Sequence, residues 1–259
     1  MPELLRSCLI VCPIVFLGGF MDAVAGGGGI ISLPAYIIAG LPTHIAVGTN
    51  KTVSALGTSV SVFKYLKSGA VILDVALMSS IGSMIGAFAG SSLALFLPEQ
   101  TLKTVLLVAL PCVALFLTFN RGFGLSESAE KPFSRKKRAL LSLCIGLAVG
   151  GYDGLIGPGA GTFFIIAFTA VLGTNLLTSA ACTRVANFAS NLTSMALYLF
   201  AGKVEVLLAL PAALFCSMGY YAGSCYALKG GSKNVRKLMF LVLVLLFVKV
   251  GLDLAGISF

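Results

Sequence analysis

Four charged side chains in otherwise apolar stretches are the residues of this sequence best suited to chemistry. Lys51 and Arg184 lie six and eight residues inside two predicted apolar helices, and Asp22 and Asp153 each precede a glycine-rich stretch. A buried charge without a partner is costly, so each must be paired or must face a watery cavity. Two interpretations stay open. The cations neutralise the aspartates in two symmetric ion pairs, for example Arg184 with Asp153 of the same half, or the cations bind an anion.

Two glycine-rich stretches interrupt long apolar segments, GGFMDAVAGGGGIISLP at 18–34 and GGYDGLIGPGAGTFF at 150–164. A helix that begins at such a break presents free backbone N–H groups and the positive end of its dipole, which together favour an anion. The alternative is that the glycines only permit a turn. The glycines that we predict to contact a bound anion are Gly26, Gly27, Gly28, Gly29, Gly157, Gly159 and Gly161.

Two apolar segments carry a polar face at helical spacing. The faces consist of Asn50, Ser54, Gly57, Thr58, Ser61 and Tyr65 in one segment and of Thr183, Asn187, Ser190, Asn191, Ser194 and Tyr198 in the other. Duplicated polar faces indicate a shared central pathway, although hydrogen bonds that only hold the helices together remain an alternative. Among these residues we predict Asn50, Ser54, Thr183, Asn187 and Asn191 as binding residues, beside Lys51 and Arg184.

The composition identifies the elements that must position these residues. The chain has 259 residues, of which 58% are hydrophobic and 10% charged, and this excludes a soluble domain with a polar surface. Its apolar runs are long enough to cross a bilayer, so we predict one all-α polytopic membrane domain over 1–259. The predicted segments are 8–39, 45–66, 70–97, 101–119, 139–173, 176–200, 204–228 and 238–256.

A constant offset relates the two halves of the chain. A shift of 133 residues superposes Gly40 on Gly173 and Gly69 on Gly202, and it also carries Lys51 onto Arg184. One offset over so much of the chain indicates an internal duplication. We predict a first repeat at 8–119, a cytoplasmic linker at 120–138 and a second repeat at 139–259, each repeat being a glycine-broken hairpin followed by about three transmembrane helices.

The first predicted segment, 8–39, is too long for a single crossing, because a straight helix of that length would span roughly 46 Å. Folded at its glycines, the segment becomes a hairpin with two short arms, and the second repeat is then inverted. With the linker inside, the inverted arrangement places twelve Lys and Arg residues inside and three outside, whereas a parallel arrangement gives ten and five. The positive-inside rule favours inversion.

Other functional classes have little support in the sequence. The net charge of +9 includes only one dense basic run, SRKKR at 134–138, which is typical of a cytoplasmic loop, so we expect no nucleic acid as a partner. The seven cysteines lack metal-site spacing, and we expect neither metal nor cofactor. Without HExxH or GxSxG, and with His44 as the one histidine, we expect no enzyme, although an unusual serine protease remains open.

The motifs resemble those of the TauE/SafE family of sulfite and organosulfonate exporters over nearly the whole chain. The likeness rests on the two glycine-rich breaks, on GTNK at 48–51, and on the paired endings KYLKSGAV and LYLFAGKV. By resemblance, Asn50 and Lys51 occupy the NK motif of the family, and Thr183 and Arg184 occupy its counterpart. The sequence departs from the family where Gly27 replaces the proline of the first break. It departs again at 164–166, where the first repeat has a Leu-Pro pair.

The resemblance implies a secondary-active transporter that moves a small sulfur-containing anion, such as sulfite or sulfoacetate, by alternating access between the repeats. It also implies a location in the bacterial inner membrane. We expect a small anion and the lipid bilayer as partners, and a homo-oligomer stays open. Asp22 and Asp153 are predicted to serve in coupling or in salt bridges. A membrane subunit that binds a partner protein and transports nothing is the alternative, and an intramembrane enzyme ranks third.

Overall fold

The computed structural model describes the backbone of residues 2–105 and 133–254 and the side chains of residues 4–105 and 133–240. Most of the predicted segment 101–119 and of the linker 120–138 lies outside these residues. All regular elements in the described part are helical. They are α1 (Pro2–Ala25), α2 (Gly28–Ile38), α3 (Thr43–Lys67), α4 (Leu73–Phe96), α5 (Arg135–Leu155), α6 (Ala160–Ala167), α7 (Leu176–Phe200) and α8 (Val206–Leu254).

The first glycine break turns the chain back on itself between α1 and α2. Gly26 has a φ of 84°, a left-handed conformation that glycine adopts without strain. After the turn, Gly28 packs against Asp22 and Gly18 of α1, so α1 and α2 form an antiparallel hairpin. The prediction of two short arms is wrong for the first arm, because α1 is 24 residues long and α2 is 11. The first arm is longer than predicted because α1 begins at Pro2, six residues before the predicted segment.

The second break has the same form with different detail. It separates α5 from α6, and Gly157 and Gly159 both have positive φ values, of 91° and 84°. Pro158 lies between them. The second arm has only eight residues in α6 and continues as a π-helical turn over Phe168–Leu172. The departures from symmetry that the sequence shows at 164–166 therefore fall in the irregular arm.

The predicted segments 204–228 and 238–256 correspond to two helices within α8, which meet at Gly231. α8 is kinked at Gly231, whose φ of 58° and ψ of −151° are not helical. The adjacent glycines at 230 and 231 allow the chain to change direction there without a loop between the two helices. Apart from 101–119, most of which lies outside the described residues, the other predicted segments correspond to helices, and 176–200 coincides with α7.

Among the described residues, four helical stretches are long and apolar enough to cross a membrane. They are Leu4–Ala25, Leu73–Phe96, Arg135–Leu155 and Val206–Phe240. α3 and α7 have 25 residues each but carry the two polar faces, which lowers their mean hydropathy. Large apolar side chains are exposed on the outside of the bundle, such as Phe96 and Phe200 at 86% and 92%. A bilayer would cover such side chains.

Close helix contacts fix the relative directions of the helices. Along α4 and α5, Gly82 lies against Leu143 and Gly90 against Gly151, so these two helices run parallel. A Cβ on either glycine would lie 2.2 Å from a carbonyl oxygen of α5, which explains why glycine recurs here. Ser91 of α4 bonds Ser194, and Ile72, ahead of α4, bonds Cys182, so α7 runs the same way.

A second group of helices runs in the opposite direction. Gly219 lies against Phe16 and Gly223 against Phe20, so α1 and α8 are parallel. α3 runs with them, since Gly57 packs on Tyr220 and Ser61 bonds Ser224. The two groups are antiparallel to each other. Gly48, near the start of α3, contacts Tyr198 at the end of α7, while Tyr65 at the other end of α3 clusters with Ala181.

Candidate functional site

Two buried ion pairs join the two halves of the chain. Lys51 Nζ of α3 lies 2.7 Å from Asp153 Oδ1 of α5, and Arg184 Nη1 of α7 lies 2.7 Å from Asp22 Oδ2 of α1. The four side chains are between 0% and 11% exposed. The ion pairs that the sequence left as one of two interpretations are therefore present. Their partners are crossed between the halves, and Arg184 is not paired with Asp153 of its own half.

Asp153 has hydrogen-bond donors on both of its carboxylate oxygens. Lys51 donates to Oδ1 and also to the backbone carbonyl of Asp153, at 2.5 Å. Asn187 Nδ2 donates to Oδ2 at 3.2 Å, and the hydroxyl of Ser190 donates to the same oxygen. Lys51 thus uses two of its three N–H donors on one residue. This pair has the geometry of a satisfied structural anchor.

Asp22 connects the first break to α1 and α8. The backbone N–H of Gly28, the first residue of α2, donates to Asp22 Oδ1 at 3.1 Å. This N–H has no partner inside α2, since the first turn of a helix leaves its donors free. The hydroxyl of Tyr220 donates to Oδ2, the oxygen that Arg184 also contacts. We missed Tyr220 in the sequence, where the available signal was a tyrosine directly after a packing glycine, Gly219.

Arg184 has hydrogen-bond capacity that the described part of the chain does not use. The side chain is 0% exposed, yet Nε and Nη2 have no partner among the described residues. A guanidinium carries five N–H donors, and unpaired buried donors are unfavourable. Nη2 points at the second break, where a Cβ on Gly161 would lie 2.7 Å from it. Arg184 therefore offers free donors of a fixed positive charge beside the glycine breaks.

The two breaks touch each other at the centre of the molecule. A Cβ on Gly26 would lie 2.1 Å from the carbonyl carbon of Gly161, and one on Gly29 would lie 3.3 Å from Pro158 Cα. Thr162 donates a hydrogen bond of 2.9 Å to the carbonyl of Ala25. Only glycine permits the backbones at Gly26 and Gly161 to approach so closely.

A small cavity of about 20 Å³ lies between the breaks and the polar faces. Ten of the fourteen predicted binding residues line it, together with both aspartates. These ten are Gly26, Gly29, Asn50, Lys51, Ser54, Gly157, Gly159, Gly161, Asn187 and Asn191. The volume is of the order needed for one water molecule, so a larger ligand requires the surrounding elements to separate.

Four predicted binding residues do not line this cavity. Gly27 is the residue before α2, and Gly28 is pressed against α1, where a Cβ would lie 2.3 Å from the carbonyl oxygen of Gly18. Thr183 is buried, and its hydroxyl has no hydrogen-bond partner among the described residues. Arg184 stands behind Gly161. Gly161 therefore separates the Arg184 side chain from the cavity.

The sequence profile described as Sulfite exporter TauE/SafE matches residues 11–250 of the chain. The chain belongs to this family. A relative from Sinorhizobium sp, named probable membrane transporter protein ORF9, is 34% identical over 240 residues, or 92% of this chain and 90% of the relative. The probable membrane transporter protein YfcA of Escherichia coli K12 is 26% identical over 98% of this chain and 96% of its own length. No solved structure matches the chain.

The relatives' names and the apolar helices together identify this TauE/SafE protein as an integral membrane protein. A third relative, a probable membrane transporter protein from Haemophilus influenzae, is 34% identical over 73% of this chain and 72% of its own length. The motif resemblance found in the sequence is thereby confirmed at the level of the family.

The polar faces of this TauE/SafE protein join helices in one region and line the small cavity in another. Towards one end they join helices: Ser61 and Ser224 share a hydrogen bond of 2.7 Å, and Ser91 donates to Ser194 at 2.8 Å. Towards the breaks the faces line the cavity, with Asn50 accepting a 2.7 Å hydrogen bond from the hydroxyl of Ser32. Ser32, like Tyr220, was absent from the predicted site.

The remaining candidate for chemistry, His44, lies away from this site. It is buried, and its Nε2 lies 3.2 Å from the carbonyl oxygen of Ala94. Next to it, the backbone N–H of Thr43 donates to Glu99 Oε1 at 2.7 Å, which caps the start of α3 with a carboxylate. Among the side chains of residues 4–105 and 133–240, no three His, Cys, Asp or Glu are grouped as a metal site would need.

Proposed function

We propose that this TauE/SafE protein is a secondary-active transporter of a small sulfur-containing anion, sulfite or an organosulfonate such as sulfoacetate, in the bacterial inner membrane. The observation that carries the proposal is the set of unpaired donors on the buried Arg184, directed at the second glycine break. The planar guanidinium can donate two parallel hydrogen bonds to neighbouring oxygens of one oxyanion. A sulfite or sulfonate group presents such oxygens.

Substrate binding and the Asp22 pair compete for the same cation. Arg184 contacts Asp22 through Nη1 alone, at 2.7 Å, so an anion can engage Nε and Nη2 before the ion pair opens. The N–H of Gly28 and the hydroxyl of Tyr220 remain on Asp22 when Arg184 turns to the substrate. These two donors keep the carboxylate hydrogen-bonded in the buried site, which lowers the cost of exchanging the partner of Arg184.

The opposite directions of equivalent helices support the inverted-repeat architecture. α1 and α5, α3 and α7, and α4 and α8 are the pairs that the duplication relates, and each pair is antiparallel. The contacts between halves are reciprocal as well. Under the 133-residue offset, the pair Ser61–Ser224 corresponds to Ser194–Ser91. Broken helices that meet between inverted repeats are a common construction for the binding site of a secondary transporter.

Alternating access in this protein requires the two hairpins to move apart. A cavity of about 20 Å³ is too small for a sulfite ion, and the breaks are in backbone contact at Gly26 and Gly161. Each hairpin is tied to the other half by one ion pair, so an anion that loosens the Arg184 pair frees one hairpin. With no ATP-binding motif in the sequence, the energy comes from a gradient of the anion or of a coupled ion.

Flux in proteoliposomes tests the proposal. Purified protein is reconstituted, and the uptake of labelled sulfite and of labelled sulfoacetate is followed against liposomes without protein and against liposomes with the Arg184→Ala variant. We expect saturable uptake of at least one of the two anions with the wild-type protein only. Correctly folded wild-type protein that moves neither anion would favour the non-transporting subunit that binds a partner protein.

A further inference from the structure

A second and much larger cavity, of about 670 Å³, opens at the end of the bundle where α1 begins and α2 ends. We call this cavity the vestibule. Its lining includes Arg6, Ser7, Ile10, Ile38, Ile45 and Leu208. Four helices, α1, α2, α3 and α8, therefore contribute to it. Arg6 and Glu205 both line the vestibule, so it holds one positive and one negative side chain and carries no net charge.

A narrow space of about 10 Å³ extends from the central cavity towards the vestibule. It shares Asp22, Gly29, Asn50 and Ser54 with the central cavity. Its remaining lining includes Val15 of α1, Ser32 of α2 and Cys216 of α8. The same four helices thus line the vestibule at one level and this narrow space at a deeper level.

The barrier between the two levels is one to two helical turns thick. On α1 the vestibule reaches Ile10 and the narrow space begins at Val15, and on α3 the corresponding residues are Ile45 and Asn50. Five residues of helix correspond to roughly 7.5 Å. The intervening residues belong to one buried apolar cluster, the plug, which includes Val11, Leu33, Tyr36, Val47 and Ala212.

Two fully buried tyrosines of the plug, Tyr36 and Tyr198, lie at this depth, and Tyr36 is the one that belongs to the short arm α2. It is 0% exposed, and its hydroxyl has no hydrogen-bond partner among the described residues. Tyr36 belongs to the same buried cluster as Val11 and Val15 of α1 and Ala212 and Cys216 of α8. A buried hydroxyl without a partner is unfavourable, and it gains hydrogen bonds when water enters. The Tyr36 ring therefore blocks the route in the closed state, while its unpartnered hydroxyl lowers the cost of reaching an open state that contains water.

The second half does not repeat this arrangement. The 133-residue offset places Thr169 at the position of Tyr36, and the Thr169 hydroxyl shares a hydrogen bond of 2.8 Å with Ser179. A small, satisfied side chain replaces a large one whose hydroxyl lacks a partner. The asymmetry marks Tyr36 as a specialised residue rather than a general packing element of both hairpins.

We propose that Tyr36 is the gate of an anion route that leads from the vestibule, between α1, α2, α3 and α8, to the central cavity. This inference rests on the proposed transport function. In the closed protein the plug separates the vestibule from Asn50 and Asp22. Movement of α2, the short second arm of the first hairpin, withdraws Tyr36 and connects the vestibule with the central cavity.

Chemical labelling of Cys216 tests the gate without any need for transport. The purified full chain is treated with 2-sulfonatoethyl methanethiosulfonate, a small anionic thiol reagent, and modification of Cys216 is timed by peptide mass spectrometry. Cys216 is 4% exposed and lies on the inner side of the plug, so we expect slow labelling in the wild type. Tyr36→Ala should accelerate it by about tenfold or more, because the closed state loses a large side chain that α2 contributes to the plug.

Phe168→Ala is the matched control, since Phe168 is an equally buried aromatic residue in a different cluster. This variant should leave the labelling rate of Cys216 near the wild-type rate. The gate is refuted if wild-type Cys216 reacts as fast as in Tyr36→Ala, if Phe168→Ala accelerates labelling equally, or if folded Tyr36→Ala shows no acceleration.

A cross-link gives an independent test that does not depend on the stability of Tyr36→Ala. In Tyr36→Cys, an oxidant or a short bifunctional thiosulfonate should join the new thiol to Cys216 and hold α2 against α8. Anion flux should then fall and should recover on reduction, while the same treatment leaves wild-type flux unchanged. A completed cross-link with undiminished flux refutes the gate. Gated labelling in a protein that moves no anion would instead count against the transport function alone.

Discussion

Arg184 holds Asp22 with a single guanidinium nitrogen, Nη1, at a distance of 2.7 Å. The contrast with the other pair is informative, because Lys51 directs two of its three donors at Asp153. Lys51 thus directs most of its donors at its partner, whereas Arg184 has donors without a partner among the described residues. Lys51 and Arg184 correspond under the 133-residue offset. We propose that they serve different tasks, anchoring for Lys51 and anion binding for Arg184.

The first prediction concerns the shape of the Arg184 side chain. Arg184→Lys keeps a positive charge for Asp22 but removes the planar fork, so it should weaken the apparent affinity for the anion by about tenfold, or about 1.4 kcal/mol. Thermal stability in detergent should stay close to that of the wild type. Concentration-dependent flux measures the affinity. Arg138→Lys is the control, since Arg138 pairs with Asp74 at the half-exposed start of α5, and it should leave the affinity unchanged.

The second prediction concerns the anchoring pair. Lys51→Ala strands the buried carboxylate of Asp153, so it should destabilise the protein by about 3–5 kcal/mol. Lys51→Ala combined with Asp153→Ala removes both charges and should recover most of that stability. Thermal unfolding in detergent, followed by size-exclusion chromatography, compares the two variants. A double variant as unstable as Lys51→Ala would show that the stranded charge is not the cause.

The third prediction concerns the contact between α1 and α2. Gly28→Ala places a Cβ 2.3 Å from the carbonyl oxygen of Gly18 and 2.5 Å from Asp22 Cβ, so the start of α2 must shift and its hydrogen bond to Asp22 is lost. Flux should be strongly reduced. Gly151→Ala is the matched control, because a Cβ there meets its nearest atom at an ordinary 3.7 Å. Wild-type flux by normally inserted Gly28→Ala protein would show that the contact at the break is not needed for transport.

Much of this architecture follows from residue patterns that act locally. The polar face that begins at Asn50 predicts the inward side of α3, and the glycines at 26–29 predict the turn that places Gly28 on Asp22. The residue patterns did not predict which cation pairs with which aspartate. The crossing of Arg184 to Asp22 depends on how the two halves pack, and nothing within the separate stretches encodes that packing.

Single contacts between helices that are distant in the chain could not be predicted from the sequence either. Tyr220 donates to Asp22 across 198 positions of the chain, and its signal in the sequence is one tyrosine in an apolar run. The break near Gly231, by contrast, falls between the predicted segments 204–228 and 238–256. The two helices extend further than predicted and meet at Gly231 without a longer loop.

The fourth prediction concerns orientation in the membrane. The inverted arrangement, supported by the charge count, puts Lys233 on the cytoplasmic side and Lys203 on the opposite side. In a cysteine-free background, Lys203→Cys should react with an impermeant thiol reagent added to intact cells, whereas Lys233→Cys should react only after the cells are opened. Labelling of intact cells at 233 but not at 203 would contradict the orientation.

The double variant Arg184→Ala, Asp22→Ala tests the central claim, that Arg184 binds the anion, most directly. Removing both partners leaves no stranded charge, so the variant should reach the membrane and should unfold in detergent close to the wild-type temperature. The measurement is saturable uptake of labelled sulfite and sulfoacetate by proteoliposomes that contain equal amounts of folded protein. We predict that the variant is folded and that its uptake falls to the level of empty liposomes. Uptake at the wild-type rate would show that Arg184 and Asp22 are only structural and would contradict the account.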